Sequence, residues 1–172
     1  MLIWILISII VLYFLIGLLL PATTTISSSI EASSKYNLVF KTIKDFKNWE
    51  QWAIWNKDET LNIMLSDTTN KIGSRYRWRS KIKELKDGLI VLKEAKEGSK
   101  LLYHFYYGKQ KRGHILFNIE DTTSNSLTTC SITINNKKKI FARYFTLFIK
   151  KSIRDNIDEV LLKIDQSSVR RA

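Results

Sequence analysis

Residues 73–83, Gly-Ser-Arg-Tyr-Arg-Trp-Arg-Ser-Lys-Ile-Lys, alternate in character: Arg75, Arg77, Arg79, Lys81 and Lys83 take one parity, and Tyr76, Trp78, Ser80 and Ile82 take the other. Successive side chains on an extended strand point to opposite faces, so this run has a cationic face and a largely aromatic one. A single-strand nucleic-acid platform brings rings and cations into one groove. This strip keeps them apart, and its parity predicts Tyr76 and Trp78 turned inward with the arginines in solvent.

Short runs of strand character continue on both sides of the strip, at 61–66, 74–83, 88–95, 100–107, 113–120 and 126–135, separated by turn residues. Ahead of them, 23–31 (TTTISSSIE) predicts a first strand with Ile26 and Ile30 on one face. Ser33 or Ser34 is placed to cap a following helix, in which Tyr36, Val39, Phe40, Ile43 and Phe46 recur at helical spacing. The chain closes with a predicted helix over about 140–165. There Phe141, Phe145, Phe148, Ile149, Ile153, Ile157, Leu161 and Ile164 mark a face to be buried against the sheet. Strand, helix, a run of antiparallel strands and a terminal helix is the order of an α+β domain whose curved sheet wraps around a long helix.

The chain has 172 residues, enough for one domain with a real core and an appendage. The appendage is 1–21. Leu2 to Leu20 is apolar apart from Ser8 and Gly17, and as a helix it would run about 28 Å, the thickness of a bilayer's hydrocarbon core. It lacks a basic leading segment and an A-x-A site, so it reads as an uncleaved transmembrane anchor ended by Pro21, with the domain over 22–172. All 28 basic residues follow it, the first being Lys35, which by the positive-inside rule favours a cytoplasmic domain. The formal charge of +12 fits an anionic partner or a merely solvated surface. The single Cys130 excludes a disulfide within the chain and a multi-cysteine metal site.

The stretch LVFKTIKDFKNWEQWAIWNKD (38–58), then KIGSRYRW (71–78) and FARYFTLFIKKSIRDNIDEVLLKI (141–164), resembles membrane-anchored members of the START-like, or SRPBCC, superfamily, the polyketide cyclase-like proteins. The residues that carry the likeness are Asp45, Trp49, Trp52 and Trp55, then Gly73, Tyr76 and Trp78. This chain departs from that pattern in having Gly73 alone where a G-x-G turn is common, and no proline at the start of its first domain helix. The resemblance implies a helix-grip fold: a seven-stranded antiparallel sheet curled around the C-terminal helix, two short helices closing one end, and an apolar cavity between. It also implies a hydrophobic small molecule or lipid as ligand. Cavity residues expected on this basis, together with strand parity, are Trp49, Trp52, Trp55, Tyr76, Trp78, Tyr103, Phe105, Tyr107, Phe117, Tyr144, Phe145 and Phe148.

No catalytic constellation, cofactor motif or metal site is expected. His104 and His114 are the only histidines and fall on the outward parity, without companions at ligand spacing. GKQKRGHI (108–115) has the glycine spacing of a phosphate loop but joins two strands, and reads as a hairpin loop. Its Lys109, Lys111 and Arg112, with Lys137, Lys138 and Lys139, could meet anionic lipid head groups or be simply solvated. Cys130 shares the parity of Ile132 and Ile134 and reads as a small buried hydrophobe. Two alternatives to ligand binding stay open. One is a cyclase-like enzyme using Tyr76, Tyr103 or Tyr144 as proton donors. The other is binding of anionic membrane, or less readily of nucleic acid, through the outer basic ladder.

Overall fold

Pro21 disfavours helical geometry in the residue before it, and Leu20 is extended (φ −67°, ψ 144°), which ends helix α1 (Leu2–Leu19). The computed structural model describes residues 1–53, 60–81, 87–123, 125–137 and 139–170. Strand β1 (Thr23–Ala32) leads into α2 (Tyr36–Lys44), a 3-10 turn (Phe46–Asn48) and α3 (Trp49–Trp52). Six strands follow: β2 (Leu61–Leu65), β3 (Arg75–Ser80), β4 (Gly88–Lys96), β5 (Lys100–Tyr107), β6 (Gln110–Asp121) and β7 (Ser126–Asn135). Helix α4 (Ile140–Val169) closes the chain.

The strands form one antiparallel sheet in the order β1-β7-β6-β5-β4-β3-β2, with α4 packed chiefly against β1, α2 and α3. This is the α+β arrangement expected from the order of elements, and the helix-grip architecture that the resemblance implies. Consecutive strands pair as neighbours, which is what short turns allow; only β1 must pair across the sequence, with β7. Burial alternates along β3 as its parity requires: Arg75, Arg77 and Arg79 are exposed, Tyr76 is buried and Trp78 half-buried.

Three local expectations change. Neither Ser33 nor Ser34 caps α2, whose N-cap is Lys35 without a side-chain bond. The two serines are tied elsewhere: the Ser33 N–H donates to Asp165 (2.8 Å) and the Ser34 carbonyl accepts from Ser126 (2.9 Å), so the helix starts after them. The 108–115 loop is mostly strand. β6 begins at Gln110, and the turn is carried by Gly108 at φ 57°, a conformation costly for other residues. Finally, the first half of α4 does not bury its phenylalanines: Phe141, Phe145 and Phe148 are 74%, 54% and 84% exposed. Ile157, Val160, Leu161 and Ile164, in the second half, reach the core.

α1 is apolar on every side and long enough to cross a membrane; Gly17 is its one buried residue. A Cβ at Gly17 would come within 2.2 Å of Ile140 and 3.0 Å of the Tyr144 ring, so glycine is what allows α1 and α4 to touch. Arg143 completes the contact by donating to the carbonyls of Gly17 (3.0 Å), Leu18 (3.3 Å) and Leu20 (3.3 Å). These are carbonyls at the end of a helix, left without intrahelical donors and at the negative end of its dipole, where a guanidinium is well matched.

Candidate functional site

The inner face of the sheet is divided along the strands. Its far end is closed by α2, α3 and the second half of α4. Phe40, Phe46, Trp49, Trp52, Tyr76, Tyr103 and Phe117 pack there with at most 2% of any residue exposed. Trp49 meets Phe46, Trp52, Tyr76 and Tyr103 at ring-centroid distances of 4.7, 4.7, 5.3 and 5.3 Å. Their polar atoms serve a structural purpose. α2 ends with carbonyls lacking helical donors, and the Ile43 carbonyl accepts from both Trp49 Nε1 (2.8 Å) and the Tyr103 hydroxyl (2.9 Å), while Thr42 accepts from Trp52 Nε1 (3.4 Å). Burial, and then Asp45, push the Tyr103 phenol well above its ordinary range. It is held as a neutral donor.

Toward the opposite end the same face opens. Trp78, Phe105, Ile132 and Ile134 are half-buried and Tyr107 is exposed, although all lie on the inward parity by their registers with Gly88, Gly113 and Ile115. Two glycines explain the floor of this region. A Cβ on Gly88 would lie 1.8 Å from the Trp78 ring, and one on Gly113 would lie 2.8 Å from the Phe105 ring and 1.8 Å from the Thr133 carbonyl oxygen. The two rings therefore lie down over the glycines, with Tyr107 standing edge-on to Trp78 at 5.7 Å and 82°. Ile63 of β2 stands opposite Trp78, and Ile153 of α4 is half-buried against the core, with Ile149 one turn before it on the same stripe. The result is an apolar patch that burial leaves incomplete.

The expected cavity residues thus separate into three groups. Trp78, Phe105 and Tyr107 meet on the open patch. Trp49, Trp52, Tyr76, Tyr103 and Phe117 are sealed core, because the end-closing helices press directly onto the sheet there. Tyr144, Phe145 and Phe148, expected to face inward, do not. Tyr144 turns to α1, stacking on Tyr13 at 4.9 Å and donating to the Tyr13 carbonyl (2.6 Å), and the two phenylalanines are largely exposed. Trp55 lies outside the described residues, as do Lys83 and Lys138. The expected cavity list left out Ile63, Ile132 and Ile134, and also Ile149 and Ile153 of the helical stripe marked for burial. Their inward parity was visible, but which end of the sheet is covered is not written in any one strand.

The polar candidates are placed plainly. His104 and His114 face each other across β5 and β6 on the outer face, and Lys111 Nζ sits 3.0 Å from His104 Nε2. Burial, then Lys111, Lys93 and His114, lower the His104 pKa; the Lys111 ammonium can only donate, so Nε2 is the acceptor in their contact. Among the described residues no three of His, Cys, Asp and Glu gather as a metal set would require. Cys130 is buried, and burial pushes its thiol up, away from nucleophilic chemistry. Two surface grooves lie away from the inner face: one of about 430 Å³ along α1 beside Trp4, Ser8 and Leu12, and one of about 390 Å³ between Lys35–Asn37 and Asp121–Thr123.

No protein-family model and no curated protein matches the sequence. Solved structures match over most of the chain. Ara h 8.0201 aligns with a TM-score of 0.61 at 10% identity, over 86% of this chain and 99% of its own. SA2116 of Staphylococcus aureus, a protein of unknown function, gives 0.61 at 10% identity, over 87% and 95%. The di-domain ARO/CYC StfQ of the steffimycin biosynthetic pathway gives 0.64 at 7% identity, over 87% of this chain and 52% of that one, so the chain spans about half of it. What these proteins share with the present chain at such identities is architecture: it has the helix-grip fold.

Proposed function

We propose that this chain is a membrane-anchored binding module of the START-like, or SRPBCC, kind, holding a hydrophobic small molecule or lipid on the open half of the inner face. The observation that carries the reading is the incomplete burial of Trp78, Phe105 and Tyr107 on a face whose other half is sealed. An apolar surface between sheet and helix, bordered by polar backbone, is what a ligand of this class fills. Catalysis by Tyr103 or Tyr144 is disfavoured, since their hydroxyls already donate to the carbonyls of Ile43 and Tyr13. On the outer face the immediate neighbours of the ladder across the sheet are Asn62 and Met64 on β2 and Leu89 and Val91 on β4, and Arg79 approaches Asp87 at 3.6 Å, so Arg75, Arg77 and Arg79 read as a solvated face.

An uncleaved anchor is supported by the clasp of Arg143, Ile140 and Tyr144 on the last turns of α1, contacts for which a removed leader would have no use. The distribution of basic residues, all 28 of them after α1, supports a cytoplasmic placement of the domain. The test is photocrosslinking of the full chain in lipid nanodiscs with a diazirine-bearing long-chain fatty acid, followed by peptide mapping. Adducts on the strands carrying Trp78 and Phe105 are expected. Adducts confined to α1 would overturn the reading.

A further inference from the structure

The open end of the inner face is also the end at which α1 joins. β1 starts at Thr23 opposite Asn135, the Asn136 N–H donates to the Ala22 carbonyl (2.8 Å), and α4 begins a few residues later beside Gly17. The Tyr144 hydroxyl reaches the Tyr13 carbonyl, seven residues before Leu20, which puts it about 10 Å below the end of the helical segment at 1.5 Å per residue. The first turns of α4 therefore lie level with the last turns of a membrane span. On those turns Phe141, Phe145 and Phe148, spaced four and three apart, share a flank that meets neither α1 nor the core. Ile140 and Tyr144 are the residues turned to α1.

From this juxtaposition we infer that the first turns of α4 lie in the interfacial layer of the bilayer crossed by α1, inserting Phe141, Phe145 and Phe148 beside the mouth of the open patch. Three exposed phenylalanines on one helical flank are costly in water and favourable at the boundary of head groups and acyl chains. Charge agrees with position. Exposed Lys137 and Lys139 precede the helix, Lys150 and Lys151 follow the aromatic flank by less than a turn, and Lys109 lies in the β5–β6 turn at the same end of the sheet. Each is suited to anionic head groups. A lipid would then pass from the leaflet to Trp78 and Phe105 without crossing bulk water.

This inference rests on the reading of α1 as a span, and the experiment separates the two. Full-length protein carrying Phe148→Cys, Phe141→Cys, Asp155→Cys or Leu12→Cys is labelled with a nitrobenzoxadiazole dye, Cys130 being sealed from reagent, and reconstituted in phosphatidylcholine–phosphatidylglycerol vesicles. At Phe148 and Phe141 a blue shift and loss of most emission to shallow spin-labelled lipid are expected, with Asp155 remaining open to aqueous iodide. Lipid quenching at Leu12 with iodide access at Phe148 and Phe141 overturns the interfacial placement and leaves the anchor standing. Absence of lipid quenching at all four overturns both. Protection of Phe148 without lipid quenching, deepening with protein density, assigns the flank to a second copy and also overturns it.

Discussion

Trp78 and Gly88 face each other across β3 and β4, and the indole occupies the space in which a Cβ on residue 88 would stand, 1.8 Å from its ring. Gly88→Ala should therefore lift the ring and cost about 1–3 kcal/mol, the range for overpacking a tight site. In a Trp78→Ala background the same substitution should cost almost nothing, a non-additivity expected of residues in contact. Urea unfolding of the four proteins of this cycle measures it. Equal costs in both backgrounds would show that the ring does not rest there.

Trp49 and Tyr103 share one acceptor, the Ile43 carbonyl. Trp49→Phe or Tyr103→Phe alone leaves that oxygen one donor. The double variant leaves a buried carbonyl at the end of α2 with neither, and should lose about 1 kcal/mol more than the singles add up to. Strict additivity in chemical denaturation would argue that the two bonds are independent.

The clasp between α1 and α4 depends on Gly17 and Arg143. Gly17→Leu should force α1 from α4, and Arg143→Ala should uncover the last carbonyls of α1. Both are expected to increase proteolytic cleavage between residues 20 and 23 in reconstituted protein, with the core domain retaining its unfolding transition. Unchanged cleavage in both variants would remove the clasp.

His104 carries a folded-state pKa below its ordinary value of 6.5, first because of burial and then because of Lys111, Lys93 and His114. A lowered value means that the unfolded chain binds the proton more readily. Its stabilising contribution is thus complete above about pH 6.5 and is lost as pH falls through the folded value. His104→Gln should flatten the pH dependence of stability below neutrality, measured by denaturant midpoint between pH 7 and 5. An unchanged slope would place the titration elsewhere.

Cys130 is 2% exposed and its thiol is raised by burial. Disulfide-exchange reagents should leave it unmodified in the folded protein near pH 8 and consume it on unfolding. Rapid modification without unfolding would mean that the sheet opens at β7.

The helical spacing at 140–165 decided the terminal helix, and alternation at Arg75–Ser80 decided a strand and its inward face, because side-chain direction along a strand follows from local geometry alone: Tyr76 went in and Arg77 out as parity demands. Parity for Tyr76 and Phe105, and the family resemblance for Trp49, brought the three onto one list. Neither could separate them, because coverage depends on where other segments come to rest. Only the assembled fold determined that α2 and α3 seal Trp49 and Tyr76, while Trp78, Phe105 and Tyr107 stay open at the end where α1 enters. The same holds for Phe141, Phe145 and Phe148. Their spacing announced an apolar face, but pairing α1 with the start of α4 through Gly17 and Arg143 is a long-range contact, and that contact turned the face away from the sheet.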